Sequence, residues 1–285
     1  QIKALSYDIE RYRNGSPVTL NESPSSLGRR RITSDAEMEN TEEKLKRLKE
    51  EKEMNISALY ATLFSRGILS KINKRILMLS LKARGFNNYR DNSESGESFF
   101  IREILSKAKP RLCMDIGANV GGFTSELLEY TSAKVISFEP LPEAFKKLTE
   151  ATLGHAERVI LENKGVGKSV ESLTIHYNSN ALAHASFSED VKKISFVTNE
   201  EKAVVSVVTL DSYCKANGIS EIDFIKIDTE GFETEVFEGG KRCFSAIKPK
   251  YIQIEFNWHQ LFRKTSLNDF AEKLPDYDVY QLLPN

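Results

Sequence analysis

The twelve residues Arg111-Leu-Cys-Met-Asp115-Ile-Gly117-Ala-Asn-Val-Gly121-Gly122 decide the fold. Arg111–Ile116 is a short, mostly apolar run that stops at a glycine, which reads as a buried strand. Glycines just after a strand let the chain turn tightly and let a ligand approach the backbone. A helix follows over Val120–Tyr130, and its first turn offers free amide groups and the positive end of a dipole. Asp115, at the strand's end, can accept from a ligand or brace the loop. The spacing is not that of a dinucleotide fingerprint, because GxGxxG would require a glycine where the chain has Asn119. A dehydrogenase is therefore disfavoured.

Outward from this stretch the alternation repeats. Lys134–Phe138, Arg158–Glu162, Ile222–Ile227 and Tyr251–Phe256 read as further parallel strands, and Val279–Leu283 as a sixth. Pro142–Thr152, Asp211–Asn217, the segment starting at Phe232–Glu238, and Ser266–Leu274 read as helices. Pro142 suits a first helical turn, and Gly218 closes the helix before it. Ser172–Tyr177 and Ala203–Thr209 carry no helical signal and read as β insertions. Strands alternating with helices imply an α/β fold, a mostly parallel sheet with helices on both faces. In such sheets a ligand sits at the carboxyl ends of the strands.

The first ninety residues differ in character. Gly15–Arg31 (GSPVTLNESPSSLGRRR) reads as a linker, and Thr41–Glu53 (TEEKLKRLKEEKE) as a solvated helix with i,i+4 pairs. From Ile56 to Leu81 apolar residues recur at helical intervals, among them Leu59, Leu63, Ile68, Ile72, Ile76 and Leu79. Arg66, Lys71, Lys74, Arg75, Lys82 and Arg84 make the stretch basic. Such a helix can lie on a membrane or an anionic partner, but the expectation is that it packs its apolar face on the neighbouring domain. The chain thus divides into an N-terminal linker and helical extension, 1–94, and an α/β domain, 95–285.

Forty basic against forty-one acidic side chains leave a net charge of −1, without the basic excess of a nucleic-acid binder. Cys113, Cys214 and Cys243 form no CxxC pair or Cys/His cluster, so reduced thiols and a cytoplasmic location are expected. No run of about 18 apolar residues and no signal peptide is seen.

The second strand ends at Phe138-Glu139-Pro140, and Glu139 follows Gly117 by 22 residues. An acid roughly 20 residues beyond such a loop captures the ribose hydroxyls of a nucleoside cofactor, and a carboxylate can accept two of them. In Lys226-Ile-Asp228-Thr-Glu230-Gly231, Lys226 and Asp228 alternate into an apolar run and so share one face. Burying such charges is costly unless they pair. The fifth strand runs out through Gln253-Ile-Glu255-Phe-Asn-Trp258-His259. Histidine titrates near neutrality and suits removal of a proton from a hydroxyl.

DIGANVGGFT at 115–124, the FEP strand end and IKIDTEGFE at 225–233 together resemble the FkbM family of S-adenosylmethionine-dependent methyltransferases. The resemblance runs from about Ser95 to the C-terminus. It implies a Rossmann-like class I methyltransferase fold with S-adenosyl-L-methionine as cofactor and S-adenosyl-L-homocysteine as product. Asp115, Gly117, Ala118, Asn119 and Gly121 would hold the methionine end, with Glu139 and Pro140 at the ribose. Asn163, Gly165 and Val166 would flank the adenine. Ser95-Gly96-Glu97 resembles a family segment ahead of the first strand, which adds Glu97 to the cofactor residues. Thr209-Leu210-Asp211 matches a TLD segment ahead of the fourth. The implied reaction is methylation of a hydroxyl of a carbohydrate or other natural product.

For that chemistry an alcohol needs a proton acceptor, while the protein aligns and desolvates the reactants. His259 is the favoured base and Glu255 its rival. Asp228 and Glu230 aim acceptors at the cofactor or the acceptor hydroxyl, and Lys226 tunes them. His184, in the insertion 178–188, can contact substrate. A magnesium ion at Asp228, Glu230 and Glu255 is an alternative that is not favoured. The partner expected is a small-molecule or glycan acceptor, with a homodimer or neighbouring domain using the N-terminal helices. Alternatives are another acceptor (an amine, a lipid headgroup or a protein side chain) or a scaffold without catalysis, against which the polar strand ends argue. Sheets of this type normally close with an antiparallel strand, and after Val279–Leu283 only Pro284 and Asn285 remain. The expectation is that the closing strand is absent, that something else fills its place or that the chain is truncated, and a missing strand would leave an open edge.

Overall fold

The computed structural model describes residues 46, 56–65, 67–84, 95–179, 182, 185–187, 199–256, 259–260 and 263–283. The linker Gly15–Arg31, the helix expected at Thr41–Glu53 apart from helical Lys46, and His184 and Trp258 lie outside them. Two compact units emerge, Glu10–Ala83 and a larger one made chiefly of Arg84–Asn285.

In the smaller unit, residues 56–64 are helical, and a 3-10 turn at Gly67–Leu69 leads into the helix Ser70–Ala83. The Asn73 amide donates to the Phe64 carbonyl at 2.7 Å and accepts from the Tyr60 hydroxyl at 3.2 Å, tying the two helices together. Within this unit the described residues leave the apolar face uncovered. Leu59, Leu63, Ile72, Ile76 and Leu79 are all exposed, and Ser70–Ala83 contains no buried residue.

The larger unit is built on a five-stranded sheet in the order β3-β2-β1-β7-β8. Its strands are β1 (Leu112–Ile116), β2 (Lys134–Phe138), β3 (Val159–Glu162), β7 (Phe224–Ile227) and β8 (Tyr251–Ile254), and every pairing is parallel. A second sheet, β4-β6-β5, comprises β4 (Gly165–Val166), β5 (Glu171–Tyr177) and β6 (Glu201–Val208). The two β insertions read from sequence pair antiparallel there, while β4 was not anticipated.

Helices cover both faces. On one side, α1 (a turn at Glu97–Phe99 continuing as the π-helical Phe100–Leu105) and α2 (Gly122–Tyr130) set Phe100, Ile101, Leu105, Phe123 and Leu127 against Cys113, Val135, Phe224 and Tyr251 of the sheet. Helix α3 (Pro142–Ala151) follows β2, with proline in its first turn as expected. On the other side lie α4 (Leu210–Ala216), α5 (Glu233–Gly239) and α6 (Leu267–Lys273). They bury Leu210, Val236, Phe237 and Phe270 on Met114, Ile116, Ile225, Ile227 and Ile252. The period-2 alternation of each strand supplies both cores at once. Local chemistry starts the helices: the Thr209 hydroxyl accepts from Ser212 N, and Ser266 with Asp269 forms a capping box.

The sixth strand expected at Val279–Leu283 is absent; the segment pairs with no strand. Its apolar residues serve the helical layer instead. Leu282 is buried and Tyr280 half-buried in the core of α1 and α2, and the Leu283 backbone passes so near Gly96 that a Cβ there would stand 2.4 Å from the Leu283 carbonyl oxygen. Alternating apolar residues signalled a strand, but packing on a helix uses the same pattern. Among the described residues, β3 and β8 are the sheet's edges.

Candidate functional site

One register position is polar across four of the five strands of the parallel sheet, the fifth, β3, placing Leu161 there. Ser137 of β2 pairs with Asp115 of β1, Asp115 with Lys226 of β7, and Lys226 with Gln253 of β8. All four are buried. The next row toward the amino ends, on the same face, is apolar: Val135, Cys113, Phe224 and Tyr251. The strands thus end in a buried polar strip above an apolar floor, and the connecting loops build on that strip.

Each member of the strip is held from above. Thr124, on α2, donates to Asp115 Oδ2 at 2.6 Å and lies 2.9 Å from the Ser137 hydroxyl. Lys226 Nζ lies 2.7 Å from Asp228 Oδ2 and 4.7 Å from the centre of the Phe123 ring. Gln253 Nε2 donates to Glu97 Oε1 at 2.7 Å, and Ser95 donates to Glu97 Oε2 at 2.7 Å. Burial raises the Asp115 pKa, against the opposing effects of Lys226 and Thr124. For Lys226 burial disfavours the charge, but Asp228, Asp115, Glu97 and Glu255 outweigh it and hold the ammonium well above its usual range. Asp115 Oδ1 and Gln253 Oε1 are buried acceptors that meet no donor among the described residues.

The glycine loop closes over this strip. Gly117 has φ +88°, and a Cβ there would lie 1.8 Å from the Asp228 carbonyl oxygen, so the loops after β1 and β7 touch backbone to backbone. Gly121, at φ +89°, would press a Cβ onto Leu148 of α3. The Gly117 and Ala118 amides donate to the Phe138 carbonyl. Glu139 is buried, with Oε2 accepting from Asn119 N and Oε1 from Leu141 N, each at 2.8 Å. Burial pushes its carboxyl up to about 7, against the pull of those two amides. Asn119 Oδ1 is a third buried acceptor of this site that meets no donor among the described residues. Exposed Asn163 donates to the carbonyls of Glu139 and Pro140, bracing the turn after β2. Gly165 and Val166 pair with β6, and the Val166 side chain is in the core.

Beyond β7 and β8 the remaining sequence-predicted residues converge. Asp228, Glu230 and Glu255 each place an oxygen within 4.8 Å of the others. His259 is buried, and its Nε2 stands 2.7 Å from Glu230 Oε2. Glu230 adopts φ +50°, and the following Gly231, at φ +96°, brings the backbone under the His259 ring.

Sequence reading missed Glu233. This buried carboxylate accepts from Thr229 N, the Thr229 hydroxyl and Gly231 N through Oε1, and from Gln260 Nε2 at 2.7 Å through Oε2. It is the hub that shapes the Thr229–Gly231 loop and ties it to the segment carrying His259. Its signal was present in the IKIDTEGFE stretch, as an acid where a helix starts, but its partner Gln260 lies 27 residues away. Gln253 was missed likewise, since its partner Glu97 is 156 residues distant.

A parallel sheet in this order, with a glycine loop after its first strand and an acid ending its second, defines a Rossmann-like α/β domain. The chain belongs to the methyltransferase FkbM domain family, which residues 115–279 match. It is 26% identical over 196 residues to the 2-O-methyltransferase NoeI of Sinorhizobium fredii, covering 65% of this chain and 79% of that protein. It is also 26% identical over 160 residues to the hexuronic acid methyltransferase AglP of Haloferax volcanii. That match covers 56% of this chain and 62% of the relative, so the chain spans less than two thirds of AglP. Among solved structures, the methyltransferase domain of bacterial CtHen1-C aligns with a TM-score of 0.34 and 10% identity, over 64% of this chain and 85% of that one.

Proposed function

We propose that this domain transfers a methyl group from S-adenosylmethionine to a hydroxyl of a carbohydrate. The observation that carries the reading is the His259–Glu230 pair, 2.7 Å apart, in the segments that follow β8 and β7 at the carboxyl edge of the sheet. The names of the two relatives, one a 2-O-methyltransferase and one acting on hexuronic acid, support a sugar hydroxyl as acceptor.

The residues present fit the cofactor. Asp115 Oδ1 and Asn119 Oδ1 are buried acceptors in need of donors, and S-adenosylmethionine brings an ammonium and two ribose hydroxyls. The loop Asp115–Gly121, with Glu97 behind it, would hold the methionine end. Glu139 would hold the ribose, and Pro140, Asn163, Gly165 and Val166 would border the adenine. Bound there, the cofactor supplies a methyl group activated by a positive sulfonium. The chain's own residues do the rest. His259 takes the proton of the acceptor hydroxyl, and Glu230 orients the ring and stabilises the imidazolium that results. Lys226 neutralises Asp228, which is left to fix the reactants, and Glu255 lines the same pocket edge.

Lys226 already supplies a cationic partner to Asp228, and Glu230 is engaged by the His259 ring, so turnover is expected to survive chelation. Loss of activity restored by magnesium would instead assign the three carboxylates to a cation.

Calorimetric titration with S-adenosylmethionine, with a nicotinamide dinucleotide as control, tests the cofactor. Binding of the first alone, followed by methyl transfer to hexoses or hexuronic acids, is the expected result. Binding of neither would sink the reading, and binding with transfer only to amines would move the acceptor.

A further inference from the structure

The smaller unit carries an apolar surface that methyl transfer does not use. In the helical residues 56–64, Ile56, Leu59, Tyr60, Leu63 and Phe64 recur at i, i+3, i+4, i+7 and i+8, a stripe that would ordinarily face a core. Here all five are 40–61% exposed. The Tyr60 and Phe64 rings stack on one another at 4.6 Å. Helix Ser70–Ala83 repeats the arrangement with Ile72, Ile76 and Leu79, each about half exposed or more, and Ile68 stands 86% exposed just ahead of it. At 100° per residue, Lys71, Arg75 and Lys82 border that stripe along one side. Asn73 ties the two helices into one platform.

Charge decides what such a platform fits. From Ile56 to Arg84 the sequence holds six lysines and arginines and no aspartate or glutamate. A second copy would bring six more cations against the first six. A bilayer containing anionic lipid meets both demands, because the acyl boundary accepts the stripes and the headgroups pair with the cations that border them. None of the described helices is long and apolar enough to cross a membrane, so the platform would lie in the interface.

We propose that the helical pair spanning residues 56–84 docks this chain on the surface of an anionic phospholipid bilayer, inserting Leu59, Leu63, Phe64, Ile72 and Ile76 while Lys71, Arg75 and Lys82 pair with headgroups.

Co-sedimentation of the full chain with vesicles tests this, using phosphatidylcholine alone and phosphatidylcholine mixed with phosphatidylserine. The chain partitions onto the mixed vesicles, salt weakens the association, and pure phosphatidylcholine retains far less. Lys71→Gln with Arg75→Gln lowers partition about thirty-fold, and Leu59→Glu with Leu63→Glu abolishes it. All four positions are exposed, so the thermal unfolding midpoint of either variant stays that of the parent, which separates lost docking from lost folding. Failure of the parent chain to partition at low salt overturns the proposal. So does partition that both variants leave untouched. A dimer seen by light scattering without vesicle binding, and dissolved by Leu59→Glu with Leu63→Glu, would give the stripe to a second copy instead.

Discussion

At the scale of single residues, the proposed function gives Glu139 to binding and His259 to chemistry. The Glu139 carboxyl lies at about 7, raised from an ordinary 4.5 by burial. Between those values the folded, ligand-free domain holds a proton that the unfolded chain has released. Stability contributed by that proton is therefore full below pH 4.5 and lost as pH rises through 7, by at most about 3 kcal/mol. Under the proposed function cofactor binding runs the other way, because ribose hydroxyls would donate to the ionised Glu139 carboxylate. Affinity for S-adenosylmethionine should rise about tenfold from roughly pH 6 to a plateau above pH 7. Glu139→Gln should weaken binding several-fold and flatten that profile, and calorimetry across the range would show either outcome. His259→Ala should lower turnover by about 10²- to 10⁴-fold while leaving cofactor affinity nearly intact. A variant that turns over like the parent would transfer the role of base to Glu255.

At the scale of elements, one side chain gathers most of the hydrogen bonds that shape the loop after β7. Glu233, the first residue of α5, gathers two amides, a hydroxyl and the Gln260 amide. Removing it leaves several buried donors without partners, and each costs on the order of 1–3 kcal/mol. Glu233→Ala is expected to lose about 3 kcal/mol in urea unfolding and to depress turnover more than cofactor binding, since it positions Glu230 and His259 without touching the glycine loop. Equal losses in both quantities would mean that the variant loosens the whole sheet.

At the scale of the whole larger unit, the chain's last described segment is part of the core without being part of the sheet. Leu282 packs among Phe100, Ile101 and Leu127, although no hydrogen-bond ladder fixes it. Leu282→Ala should cost about 3 kcal/mol, read as a lower urea midpoint with unchanged slope. A loss below about 0.5 kcal/mol would show that the segment contributes little to this core.

What the sequence determined by itself is local. The apolar runs marked β1, β2, β3, β7 and β8, glycine and proline marked the turns, and the polar residues at strand ends marked the edge where ligands bind. Each is a property of a few consecutive residues, and most survive in the structure. Only the tertiary structure decided how those edges meet. Period-2 alternation places Ser137, Asp115, Lys226 and Gln253 on one face of their own strands, but says nothing of register, which the crossover helices set by their packing. That register, together with the approach of Gly117 to Asp228, the Glu97–Gln253 bond and the Glu233–Gln260 bond, turns scattered acids and amides into one site. The same limit explains the misread strand at Val279–Leu283. Alternation at Val279–Leu283 and the helical stripes of residues 56–79 report that apolar groups seek a surface, and only folding shows which surface each one meets.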